Sequence, residues 1–154
     1  MPDLAPRAYA ILDELEVAGA PEAKAAPHAA EVIAALHARG DKLGLVTDNG
    51  AACVPIALRA AGIDPAVFGA IWTRDRGAPK PSPEGLVHVL DQLGSGPAWY
   101  VGDHPRDLEA GKAARARHPE LKLAAVKTGL AQEAQLLKGG ADRVIDRLDG
   151  LLSW

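Results

Sequence analysis

Five short apolar runs, each followed by a polar or glycine-bearing break and separated by helical stretches, constrain this chain more than any other feature. They fall at residues 42–47, 70–73, 98–101, 121–126 and 143–145. Between them, apolar residues recur at helical spacing over about 51–61, 83–93, from 105 through Ala113, and 132–138. Two further helices precede the first run. In one, around 7–20, Ile11, Leu12 and Leu15, with Ala8 and Ala18, form a single stripe. In the other, opened by Pro27, Val32, Ile33 and Leu36 repeat until Arg39-Gly40 supplies a stop. Strands alternating with helices at this cadence predict an α/β fold. The expected form is a three-layer, Rossmann-like parallel sheet with helices on both faces. In such sheets ligands lie at the carboxyl ends of the strands.

The remaining bounds are broad. A chain of 154 residues is the size of one domain, and no repeat, low-complexity segment or linker divides it. Its 17 basic and 20 acidic residues leave a net charge of −3 with no block of one sign. That excludes the usual footprint of a nucleic-acid or membrane-surface partner. No apolar run approaches the roughly 20 residues that span a bilayer. The single cysteine, Cys53, permits no internal disulfide and suits a reducing cytoplasm. It reads as a small buried apolar residue. His28, His37, His88, His104 and His118 lack metal-ligand spacing.

Three strand ends carry residues suited to one chemistry. Thr47-Asp48-Asn49 follows the first run, Lys80 lies in the Gly- and Pro-rich loop after the second, and Asp103 and Asp107 follow the third. A hydroxyl and backbone amides at a strand-to-helix turn hydrogen-bond phosphoryl oxygens. An ammonium neutralises phosphate charge. Two carboxylates are hard oxygen ligands of the kind Mg²⁺ takes alongside water and phosphate. Each residue alone has a plainer reading: Thr47 as a strand-end cap, Lys80 as a solvated loop lysine, Asp107 as a first-turn acid favoured by the helix dipole. Their order and joint occurrence favour the functional one.

At these residues the chain resembles the haloacid dehalogenase superfamily, in its phosphoglycolate-phosphatase-like branch. Leu43-Gly44-Leu45-Val46-Thr47-Asp48-Asn49 is similar to its second motif, Lys80-Pro81-Ser82-Pro83-Glu84 to its third, and Tyr100-Val101-Gly102-Asp103-His104-Pro105-Arg106-Asp107 to its fourth. The resemblance implies a Mg²⁺-dependent phosphomonoesterase acting on a small phosphorylated metabolite. Thr47, with Asp48 and Asn49, would bind phosphate, Lys80 would orient phosphate and nucleophile, and Asp103, supported by Asp107, would hold the metal. It further implies one core domain over residues 1–154, of which 1–26 are the remnant of a cap helix and 27–154 the core. A receiver domain has the same Asp, Thr and Lys inventory in a different order.

The family's first motif, a strand ending Asp-x-Asp-x-Thr whose first Asp attacks phosphorus, is missing. No Asp-x-Asp occurs in the chain. Asp13 sits nearest to such a string but carries Leu15 where the second Asp belongs, and its segment reads as helix. In the family's strand order, 5-4-1-2-3, the missing strand is central. Its absence would expose two strand edges that proteins normally cover. Three outcomes are open: the flanking strands close up, an N-terminal segment or a partner chain (homo-oligomer or strand exchange) fills the slot, or the gene product begins upstream of Met1. The chain is then an inactive or impaired hydrolase, or else a non-catalytic domain that binds phosphate or Mg²⁺ or serves only through a partner. Two secondary expectations concern loops. His104 reads as a loop residue near a helix start, with substrate contact the other reading. Arg74-Asp75-Arg76 reads as a solvated loop, with contact to a substrate anion the alternative.

Overall fold

A computed structural model describes residues 5–94, 96–127 and 132–154. In chain order these form α1 (Ala5–Gly19), α2 (Ala29–Ala38), β1 (Leu43–Val46), α3 (Val54–Ala60), β2 (Phe68–Trp72), α4 (Glu84–Leu93), β3 (Ala98–Gly102), α5 (Pro105–Ala114), β4 (Leu121–Val126), α6 (Glu133–Lys138) and β5 (Arg143–Ile145), with a closing 3₁₀ turn at Leu148–Ser153. The five expected strands are present, and every pairing is parallel. The expected break at Thr128-Gly129 and the expectation placed on Met1 to Leu4 lie outside the described residues. Among the described residues no helix is long and apolar enough to cross a membrane.

The continuous apolar run of β4 marks a strand covered on both faces. Leu123, Ala124 and Ala125 have no exposed surface. Leu121, Leu123 and Ala125 join Leu86, Leu90, Leu108 and Leu136 in one core cluster, so α4, α5 and α6 share a face. Leu45 and Ile71 pack on the opposite face with Val54, Ile56 and Leu58 of α3. There α2 runs alongside, Ala30 lying next to Gly62. Two glycines bring the helices close to the sheet. A Cβ on Gly85 would stand 2.4 Å from the Trp72 indole, and one on Gly111 2.4 Å from Leu123.

The sheet is not continuous. It comprises a two-stranded half, β1-β2, and a three-stranded half, β3-β4-β5, with no ladder between β1 and β3. The flanking strands have therefore not closed up against each other. Helices set this spacing: α4 packs on β1 and β2 and also on α5, which packs on β3 and β4. Val46 and Tyr100, from the two facing strands, both rest on the same helix-covered core.

The face that α1 buries differs from expectation. Ile11 and Leu15 are 59% and 65% exposed, and Leu12 and Tyr9 also face solvent. What α1 turns toward the body is Asp13 and Glu16, which pair with Arg74, while Val17 packs on the cluster of Ala20, Cys53 and Val54. An apolar stripe shows that a helix face is greasy, not that anything covers it.

Candidate active site

The site is built at the carboxyl end of β1. The Thr47 amide donates to the Trp72 carbonyl at 3.0 Å, extending the ladder by one bond. The chain then turns, and Thr47 Oγ1 accepts the Asn49 amide at 3.1 Å, a local side-chain bond typical of Thr at such turns. Because this oxygen is used as an acceptor, the hydroxyl proton stays available to a ligand. Asp48 turns the other way, and its Oδ1 accepts the Lys80 amide at 3.0 Å. That bond ties the loop after β2 to the end of β1. Asn49 is exposed and contributes its carbonyl to the Arg74 amide.

Lys80 reaches from this loop to the other half-sheet, where Nζ lies 2.8 Å from Asp107 Oδ1. Asp107 is 5% exposed. Its Oδ2 also accepts the amides of Asp103 and His104, at 3.3 and 3.1 Å, and its Oδ1 accepts the Tyr100 hydroxyl at 3.4 Å. Burial, with the Asp107 charge adding to it, pushes the Tyr100 phenol far above its ordinary value, so the phenol stays protonated. Gly102 is required here, since a Cβ would lie 2.5 Å from Asp107 Cβ. His104 is the N-cap of α5. Its Nδ1 accepts the Arg106 amide at 3.1 Å, and Pro105 opens the helix. The helix-start reading of His104 thus holds.

The structure therefore joins Asp48, Lys80 and Asp107 in one chain of contacts across the mouth of the gap, with Thr47 at one end and Asp103 at the other. Asp103 is exposed at the end of β3. Asp107 has both oxygens occupied by donors. Among the described residues no group of three or more His, Cys, Asp or Glu gathers in metal-holding geometry. The donor set suits an ion that takes a direct carboxylate from Asp103 and fills its other positions with water and phosphoryl oxygen, as Mg²⁺ commonly does. Asp107 supports that carboxylate through the Asp103 backbone.

A second network went unread in the sequence. Arg74, expected in a solvated loop, has a side chain only 10% exposed. Its guanidinium meets Glu16 Oε1 at 2.7 Å, Asp13 Oδ1 at 2.5 Å and the Asp48 carbonyl at 2.9 Å. Glu16 Oε2 accepts the Gly50 amide at 2.9 Å. Hydrogen bonding to Arg74 holds the Glu16 carboxyl below its ordinary range and raises the guanidinium above its own. Asp13, the nearest substitute for a nucleophile, is engaged in this clamp on a helix. The available signal was spacing: Tyr9, whose ring lies 5.6 Å from the guanidinium, Asp13 and Glu16 stand four and three residues apart on one helix face. Cys53 is 3% exposed, and burial, reinforced by Glu16, pushes its thiol up.

Known proteins resemble this chain over much of its length. The family described as haloacid dehalogenase-like hydrolase matches residues 4–115. A phosphoglycolate phosphatase of Salmonella paratyphi A is 39% identical over 90 residues, 57% of this chain and 36% of its own length. The pyrophosphatase PpaX of Bacillus pumilus is 31% identical over 125 residues, 80% of this chain and 56% of its own. The crystal structure of CbbY from Rhodobacter sphaeroides in complex with phosphate superposes with a TM-score of 0.73 at 26% identity, covering 90% of this chain and 62% of that one. The chain spans between about a third and three-fifths of the length of these relatives.

Proposed function

Because the chain belongs to the haloacid dehalogenase-like hydrolase family, we propose that its strand ends bind a small phosphorylated metabolite together with Mg²⁺, and that this chain alone does not turn the substrate over. The observation that carries the reading is Lys80, held by Asp48 through its amide and by Asp107 through Nζ. One of its N–H donors serves Asp107, and the other two remain for phosphoryl oxygens in the crevice. The Thr47 hydroxyl donates to a second phosphoryl oxygen from the opposite side. Asp103 would hold the ion, which when bound would draw charge from the phosphoryl group. Asp107 orients both Lys80 and the Asp103 backbone. The carboxylates near the crevice already have partners or roles in this reading: Asp48 and Asp107 are engaged with Lys80, Asp13 with Arg74, and Asp103 is assigned to the ion.

Calorimetric titration with inorganic phosphate in the presence of Mg²⁺ tests the binding half. Heat is expected from the intact chain and not from Lys80→Met or Asp103→Asn. Silence from the intact chain would overturn it. An assay with an aryl phosphate and Mg²⁺ tests the other half. Turnover no greater than that of Asp103→Asn is expected, and turnover that Asp103→Asn abolishes would show that an attacking group lies within this chain.

A further inference from the structure

We infer that Arg74, gripped by Glu16 and Asp13 of α1, is a positioning residue for the phosphate site: it sets the Thr47 hydroxyl and the Lys80 loop through the peptide units of residues 48–50, and phosphate affinity depends on it. The inference rests on the phosphate reading above and adds a control point outside the crevice.

The turn after β1 is held plane by plane. A trans peptide is flat and stiff, with its C=O and N–H pointing in opposite directions, so fixing one end aims the other. In the unit joining Asp48 to Asn49, the carbonyl accepts Arg74 Nη1 at 2.9 Å and the amide donates to Thr47 Oγ1 at 3.1 Å. In the next unit, the Asn49 carbonyl accepts the Arg74 backbone amide at 3.0 Å and the Gly50 amide donates to Glu16 Oε2 at 2.9 Å. In the third, the Gly50 carbonyl accepts the Cys53 thiol at 3.4 Å and the Ala51 amide donates to Asp75 at 2.5 Å. Three successive units are tied at both ends, and Arg74 ties two of them. Its grip reaches both phosphate donors. Thr47 is held through the Asn49 amide, and the Lys80 amide bonds the side chain of the same Asp48.

Arg74 acts on the turn and not on the ligand. A guanidinium carries four terminal N–H groups, and the fold supplies four acceptors for them: Glu16 Oε1 and the Asp48 carbonyl at Nη1, Asp13 Oδ1 and Glu16 Oε2 at Nη2. None of the four is left for a phosphoryl oxygen. The clamp also sits hard against the turn, since a Cβ on Gly50 would stand 2.6 Å from Asp13 Oδ1 and 3.2 Å from Arg74 Nη2. Its carboxylates come from α1, 58 and 61 residues away in the chain. The seating of α1 and the shape of the phosphate turn are therefore linked, and a turn ordered in advance spares the ligand the cost of ordering it.

The sign of the effect separates positioning from charge. Glu16 is an anion near an anion site, so Coulomb's law alone predicts that removing its charge tightens phosphate binding. Positioning predicts the reverse. In Glu16→Gln one carboxylate oxygen becomes an NH₂ that faces a donor, either Arg74 or the Gly50 amide, and the turn is released on that side.

The test is calorimetric titration of the full chain with inorganic phosphate and Mg²⁺, intact and as Glu16→Gln and Arg74→Met. Each variant should bind at least about tenfold more weakly, the loss typical when a group that orients a binding residue is removed. Asp142→Ala is the control. Asp142 holds Arg115 and the Leu123 amide in the other half-sheet, so its loss costs stability away from the turn and should leave affinity within about twofold. The Asn49 amide resonance should move in both clamp variants, as its bond to Thr47 loosens, and stay in place in Asp142→Ala. By reciprocity, phosphate should slow hydrogen exchange at the Gly50 amide of the intact chain. Should Arg74→Met fail to fold, Glu16→Gln, which keeps the side-chain shape, decides the question. Unchanged or tighter binding by Glu16→Gln would overturn this inference alone, and equal weakening in Asp142→Ala would reduce the clamp to a source of stability. Silence from the intact chain would overturn the phosphate reading and this inference with it.

Discussion

Asp107 offers the sharpest energetic test, because four donors converge on one carboxylate that is almost fully buried. Deleting it by Asp107→Ala strands the Lys80 ammonium, whose side chain is 18% exposed, and uncaps two amides at the start of α5. Breaking a buried ion pair by removing one partner costs about 3–5 kcal/mol, and the water still reaching Lys80 places the expectation at the lower end, about 3 kcal/mol. For a chain of this size that lowers the melting temperature by about 9 °C. Asp107→Asn retains an acceptor for the two amides and loses only the charge, so about 1.5 kcal/mol is expected. A double-mutant cycle with Lys80→Met isolates the pair: once Lys80 is gone, Asp107→Asn should cost less, with a coupling of about 1–2 kcal/mol. The assay is urea unfolding at neutral pH and low salt, with all four proteins compared at one m-value. Coupling below about 0.5 kcal/mol would refute the argument that Lys80 and Asp107 hold each other across the gap.

Two further predictions concern the clamp and the packing of α4. Glu16 has a folded-state pKa depressed by Arg74, below its ordinary 4.5, so its contribution to stability is present above that value and disappears as pH falls through the folded-state pKa. The stability gap between the intact chain and Glu16→Gln should therefore be widest near neutrality and shrink below pH 4.5; urea midpoints that keep a constant gap down to about pH 3 would contradict it. Gly85→Ala forces a Cβ to 2.4 Å from the Trp72 ring and should cost about 1–2 kcal/mol after the gain in helix propensity. Gly19→Ala, with nothing within 4 Å of the added atom, should be neutral or better. Equal thermal stability of these two variants would show that α4 has room to move off β2.

Much of the fold was legible because it is written in local spacing. The run of β4 is apolar at nearly every position and is buried on both faces. The run of β3 ends at Gly102, where only a glycine lets α5 begin so close. The order Thr47, Lys80, Asp103, Asp107 pointed to one edge, and Asp48, Lys80 and Asp107 do meet there. Less legible was the division of labour between the two acids. Spacing alone made Asp103 and Asp107 alike, whereas burial makes Asp103 the outward carboxylate and commits Asp107 to Lys80, Tyr100 and two amides.

By itself, then, the sequence determined the alternation of strands and helices, the parallel pairing that short crossovers impose, and which strand ends carry polar chemistry. All of these depend on residues a few positions apart, whose periodicity is physical. Tertiary structure alone decided three other matters. It kept β1 and β3 apart, because helices packed on both half-sheets set a spacing that no local pattern encodes. It turned the charged face of α1 inward and left Ile11 and Leu15 in solvent, because Arg74 lies 61 residues from Asp13 in the chain and the pairing exists only once the fold brings them together. And it placed Lys80 across the mouth of the gap, making one crevice of strand ends that belong to two separate sheets.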